Sequence, residues 1–133
     1  MHDGKDVILT AQDRFALDRR MIEIVKGGGK DDEDSLACAQ REAREELGVV
    51  AGRWIPLGFA YEIPSIVEGK IALFAVTDCR FESARPEHVE SIDGVRMPLR
   101  EALAMSLRGG LDDAITVTAL VRAAFALGIP LVA

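Results

Sequence analysis

The chain has 133 residues, 49% of them hydrophobic, and a formal net charge of −6 from 16 basic and 22 acidic side chains. That size and composition predict one globular domain spanning residues 1–133, and the acidic balance argues against a nucleic-acid polymer as partner. No apolar run reaches the ~18 residues of a membrane span, and residues 1–14 lack the basic, then apolar, pattern of a secretion signal, so no membrane partner is expected and the expected location is the cytoplasm.

Residues 6–11 (DVILTA) read as a short buried strand. A polar turn or hairpin follows, carrying Arg14, Arg19 and Arg20. Residues 21–25 (MIEIV) read as a second strand that runs into a glycine loop. Glu23 is unusual within it, and two readings stand: it faces solvent or pairs with Arg20, or it touches a substrate beside the loop. Next comes a helix. Asp34 or Ser35 can cap its first turn, Ala, Leu, Arg, Glu and Gln fill its interior, and Gly48 suits the left-handed residue that ends it. At about 100° per residue, Leu36, Ala39, Ala43 and Leu47 share a stripe expected to face the core.

Residues 53–61 read as a strand, with Pro56 marking an edge or bulge. Residues 62–69 form a loop, and residues 70–78 (KIALFAVTD) are the clearest buried strand. An acidic loop over 80–91 leads to a strand at 92–99. A short helix begins at Pro98-Leu99 and ends near Gly109-Gly110. Asp112 is expected to cap a last helix through Ala126, with Ile115, Leu120, Val121, Ala124 and Phe125 available for burial. Strands alternating with three helices give the α/β class.

Chemistry concentrates between Gly27 and Val49. Glu42, Glu45 and Glu46 lie on one stripe of the helix at i, i+3 and i+4. Each like-charge pair costs an isolated helix roughly 0.2–0.5 kcal/mol. Such a cluster is either a solvated charged face or a site for a counter-ion, and hard oxygen donors suit Mg²⁺ or Mn²⁺ rather than zinc. Arg41 stands one turn before Glu45 and can hold it. The glycine run before the helix, Gly28 included, lets backbone groups approach closely, and its amides with the helix N-terminus favour an anion such as phosphate. Cys38 and Cys79 fit no zinc or disulfide pattern. His2 and His88 offer no Ser-His-Asp arrangement.

The same stretch resembles the Nudix box, G-x5-E-x7-R-E-U-x-E-E-x-G-U with U apolar. Gly27, Glu33, Arg41, Glu42, Ala43, Glu45, Glu46, Gly48 and Val49 fill all nine specified positions, Ala43 being the smallest fit to U. At ordinary residue frequencies a chance match is on the order of 10⁻⁸. The resemblance implies a Nudix-type α/β/α sandwich with a mixed β-sheet between helices. It also implies hydrolysis of a phosphoanhydride in a nucleoside diphosphate-linked small molecule, with Mg²⁺ or Mn²⁺. In that family pattern Glu42 and Glu46 are the main metal ligands, Glu45 assists, and the Gly27 carbonyl completes the set. Arg41 and Glu33 pair to fix loop and helix. The general base is a helix glutamate or one on a later loop, where Glu87 and Glu90 are candidates.

Residues outside the box point within the family. Pro64 stands 15 residues after Val49, where ADP-ribose pyrophosphatases carry a proline. Ser65, Ile66 and Val67 stand where dinucleoside polyphosphate hydrolases carry a tyrosine. RFALDRRMIEIVKGG and EHVESIDGVRMPLREA also resemble the ADP-sugar group. The expected reaction is therefore ADP-ribose or an ADP-sugar to AMP and a sugar phosphate. The alternatives are another nucleotide substrate (a dinucleoside polyphosphate or an oxidised nucleoside triphosphate) and a non-catalytic nucleotide-sensing module. Arg14 and Arg20 are candidates for phosphate or partner-subunit contact, or for surface roles. Only 26 residues precede Gly27, shorter than the strand-rich segment through which that group forms its dimer and adenine site. A homodimer remains an open expectation.

Overall fold

The computed structural model describes residues 6–83 and 92–131. Its strands are β1 (Asp6–Arg14), β2 (Arg19–Glu23), β3 (Val49–Tyr61), β4 (Lys70–Phe81) and β5 (Asp93–Pro98). Its helices are α1 (Ser35–Leu47), α2 (Leu99–Leu107) and α3 (Ala114–Ala126).

β1 and β2 form a tight hairpin in which Thr10 faces Glu23 and Arg14 faces Arg19. The turn closes through a single 3₁₀ turn and Asp18 in the left-handed region, φ 48°. β5 adds antiparallel to the other edge of β1, giving the order β2-β1-β5. β3 and β4 form a long antiparallel ribbon of their own. All these pairings among the described residues are antiparallel, and they lie in two sheets. α1 and α3 pack on the β3–β4 ribbon, while α2 packs on β1, β5 and α3. The α/β architecture is thus present, with helices laid against sheets.

β1 extends beyond the expected end at residue 11, to Arg14, because its polar residues are paired across the hairpin and held inside: Thr10 is 0% and Gln12 5% exposed. β3 likewise begins at Val49, directly after the helix, rather than at residue 53. Its register slips between Pro56 and Gly58, as a proline without an N–H to donate requires. Gly58 has φ +83°, a conformation that favours glycine. Arg122 of α3 donates to the carbonyls on both sides, Leu57 at 3.1 Å and Phe59 at 2.8 Å, and pins the bulge.

Two apolar clusters meet around α3. One joins Leu9, Leu99, Leu103, Leu111 and Leu120; the other joins Leu73, Ile115 and Ala119. Ile24, just after β2, packs against both. Two residues expected inside are not. Phe125 is 83% and Leu36 37% exposed: each lies at one end of its helix, where the sheet no longer covers the stripe. The cap of α3 is Asp113, one residue after the expected Asp112. A capping carboxylate must reach the amide three residues on, and Asp113 reaches Thr116 N at 2.8 Å. Asp112 pairs instead with Arg19.

Leu103 is 2% exposed at the centre of the larger cluster. Leu103→Ala is expected to remove about 2–5 kcal/mol of stability, read as a lowered urea midpoint with an unchanged slope.

Candidate active site and metal centre

α1 is set by its caps. Asp34 accepts from Ala37 N at 2.9 Å, and Gly48, at φ 72°, returns its N–H to Arg44 O at 2.9 Å. The loop before the helix folds on itself: Glu33 N bonds Lys30 O at 3.1 Å, and the Glu33 carboxylate accepts from Lys30 N at 3.0 Å. This turn aims Glu33 at Arg41.

Arg41 is the centre of the site. Its Nε and Nη2 each lie 2.9 Å from one Glu33 oxygen, a two-pronged pair of the kind a planar guanidinium makes best. Nη2 also donates to Gly28 O at 2.9 Å. Nη1 turns to the helix glutamates, 2.6 Å from Glu42 Oε1 and 3.2 Å from Glu45 Oε2. One cation therefore holds the glycine loop, the acid that follows it and two helix carboxylates. The Arg41 hydrogen bonds, with that from Lys30 N, lower the Glu33 carboxyl from an ordinary 4.5 to about 2. The same Glu33 bonds raise Arg41 above the usual arginine value.

Gly27 is required for space. A Cβ placed there would lie 1.9 Å from Glu42 Cδ, so the carboxylate of Glu42 occupies the room that any other side chain would need. Gly28 and Gly29 have nothing within 4 Å of such a position. Gly28 contributes its carbonyl to Arg41. Cys38 donates weakly to Gly27 O at 3.9 Å. Burial, and then the Glu33 charge, raise its pKa above the ordinary thiol value.

Glu46 lies one turn beyond Glu42. Its Oε2 is shielded from solvent, and the residue lines a cavity of about 310 Å³ with Ile8, Phe81, Asp93 and Arg96. Among the described residues, no three His, Cys, Asp or Glu side chains converge on one point; the carboxylates of Glu33, Glu42 and Glu45 are gathered around the guanidinium. The donor set nevertheless suits a hard divalent cation, since it is all oxygen and the Glu42 carboxylate is already seated against the Gly27 backbone.

The remaining candidates fall elsewhere. Glu23 is 1% exposed and pairs neither with solvent nor with Arg20. Arg14 grips it at 2.9 and 2.5 Å, and Lys26 meets it at 3.0 Å. The reason is the period of a strand: residues three apart point to opposite faces. Arg20, on the other face, pairs with Asp13 and Asp93 and donates to Ala11 O. Its partner Asp93 lines the cavity beside Glu46. Arg14 above all lowers the Glu23 carboxyl below its ordinary value. Pro64 sits in the exposed turn between β3 and β4 and is not among the residues that line the Glu46 cavity. Glu87 and Glu90 lie outside the described residues. Sequence spacing missed Lys26, Asp113 and Thr116, which join the end of β2 to α3. The only signal was the Asp at 113 followed by Thr at 116, a cap pattern that Asp112 obscured.

Two outcomes follow. Gly27→Ala is expected to displace the Glu42 carboxylate and cut turnover at limiting metal by about tenfold or more, with Gly29→Ala unchanged; steady-state rates against metal concentration check both. Because Glu33 is lowered on folding, its contribution is complete above its ordinary 4.5 and is lost as pH falls towards about 2. The stability gap between wild type and Glu33→Gln, from urea midpoints, should hold down to that ordinary value and close below it.

Residues 1–119 match the NUDIX domain. No match was found among curated proteins. A crystal structure of an ADP compounds hydrolase superposes with a TM-score of 0.83 at 24% identity, over 94% of this chain and 68% of that one. At that identity the likeness is one of fold. With the box residues in place around Arg41 and the domain match covering residues 1–119, the chain belongs to the Nudix family of pyrophosphohydrolases.

Proposed function

We propose that this chain hydrolyses the diphosphate of ADP-ribose or a related ADP-sugar, giving AMP and a sugar phosphate, with Mg²⁺ or Mn²⁺. The observation that carries the metal-dependent reading is the Gly27–Glu42 contact beside Arg41: the Glu42 carboxylate is seated against the Gly27 backbone, where glycine alone leaves room. Glu42 and Glu46 are the main ligands, with Glu45 and the Gly27 carbonyl completing the set. When bound, the cation neutralises the diphosphate and lowers the pKa of the attacking water. A net charge of −6 would otherwise repel such a substrate.

The chain's own residues do the positioning. Arg41 holds the Glu42 and Glu45 carboxylates side by side and ties their helix to the loop. Glu33, lowered to about 2, remains charged across the neutral range and keeps the guanidinium in its place. The amides around Gly28 and the N-terminal end of α1 present donors to phosphate oxygens. The proton of the attacking water passes to a helix glutamate or to Glu90. The preference for an ADP compound is supported by Pro64, by the two flanking stretches similar to ADP-sugar hydrolases, and by the fold shared with an ADP compounds hydrolase.

The test is hydrolysis of a nucleotide panel with Mg²⁺ or Mn²⁺, products separated by ion exchange. AMP and ribose 5-phosphate from ADP-ribose are expected, with turnover reduced by orders of magnitude in Glu46→Gln at an unchanged melting temperature. Activity confined to another nucleotide overturns the substrate; near-wild-type turnover by Glu46→Gln overturns the ligand role. Pro64→Ala is expected to change the ratio of kcat/KM between substrates more than the maximal rate, and an unchanged ratio would make Pro64 an ordinary turn residue.

A further inference from the structure

A second group of charges sits behind the site. Asp113 caps α3 with one oxygen, Oδ2, which accepts from Thr116 N at 2.8 Å and from Thr116 Oγ1 at 2.6 Å. An N-cap needs no more than this. Its other oxygen, Oδ1, accepts from Lys26 Nζ at 2.8 Å, and the same ammonium lies 3.0 Å from Glu23 Oε2. Thr116, fully buried, accepts at Oγ1 from Ile24 N at 3.0 Å. β2 has ended at Glu23, so this amide is held by α3 in place of a neighbouring strand.

The last residues before Gly27 are therefore fastened twice to one helix end, by the backbone at 24 and by the side chain at 26. The Ile24 side chain adds a third hold between the two apolar clusters. Gly27 follows Lys26 across a single peptide, about 3.8 Å from Cα to Cα. A shift at residue 26 passes to Gly27 with little room to be absorbed, because the far side of Gly27 is already against the Glu42 carboxylate.

We infer that Lys26, Asp113 and Thr116 are positioning residues for the metal site, through which the N-terminus of α3 holds the Gly27 backbone against Glu42. This rests on the metal-ligand reading given above. The supporting groups act through the backbone, as residues behind metal ligands commonly do, where their loss costs roughly 10–100-fold in affinity.

The test is direct Mn²⁺ binding without substrate, by electron paramagnetic resonance of the free ion, with melting temperatures measured alongside. The proteins are wild type, Glu46→Gln, Lys26→Met, Lys26→Arg and Thr116→Val. Lys26→Met and Thr116→Val are expected to weaken Mn²⁺ binding about tenfold or more. Lys26→Arg, which can still bridge both carboxylates, is expected to restore most of it. A purely structural role would lower the melting temperature and leave the dissociation constant of the folded protein unchanged, and that result overturns the inference. If Thr116→Val does not fold, the Lys26 pair decides it alone. Failure of wild type to bind Mn²⁺ overturns the metal reading and this inference with it. Binding by wild type that is lost in Glu46→Gln but equal in the Lys26 variants overturns only the inference.

Discussion

The Arg41 guanidinium is the interaction on which the site depends. Three glutamates within five residues of one helix repel one another, and an isolated helix of this sequence would splay them. Here Nε and Nη2 are committed to Glu33 and the Gly28 carbonyl, while Nη1 faces Glu42 and Glu45. The geometry uses the planarity of the group: its edges point to the loop and the helix at once. A lysine, a compact point charge on a flexible stem, could neutralise a carboxylate but could not hold this fork. Loop and helix are thus joined by a residue that need not itself meet the substrate.

Behind this lies a second set of balanced charges. Glu23 and Asp113 are matched by Arg14 and Lys26, two negative against two positive. Burying a carboxylate is expensive unless it is paired and hydrogen-bonded; Glu23, with bonds from both cations, meets that condition. Such a cluster adds little net stability compared with apolar packing. Its value lies in direction. Apolar contacts around Ile24 can slide, whereas bonds to Asp113 and Thr116 define where the chain leaves the sheet. The bulge at Gly58, held by Arg122, is a similar device on the other side of α3. That helix therefore fastens both the glycine approach and the β3–β4 ribbon.

Much of this was legible in the sequence. The helix from 35 to 47, its Asp34 cap and its Gly48 end follow from local rules, because capping and left-handed termination involve residues within one turn of each other. The pairing of Arg41 with Glu33 and Glu45 was legible too: one partner is a helical turn away and the other is placed by the spacing of the box. The fault at Pro56 followed from the missing N–H. Less local features were misread. For Glu23, the reading that pairs it with Arg20 rests on closeness in sequence, but strand alternation puts the two on opposite faces. Asp112 and Asp113 are equivalent on paper, and partners distant in sequence separate their roles: Arg19, 93 residues away, takes Asp112, and Lys26 takes Asp113. Leu36 and Phe125 fit their helical stripes yet lie past the edge of what the sheets cover.

By itself, then, the sequence determined the box, its helix and the oxygen-rich chemistry that a divalent ion favours, since each depends on residue types at short, regular spacings. Tertiary structure alone decided the contact of Gly27 with the Glu42 carboxylate, the hold of Arg14 and Lys26 on Glu23, and the fastening of residues 24–26 to the end of α3. These join segments as many as 92 residues apart. Their partners are chosen by which faces the packed sheets and helices bring together, and no local spacing encodes that choice.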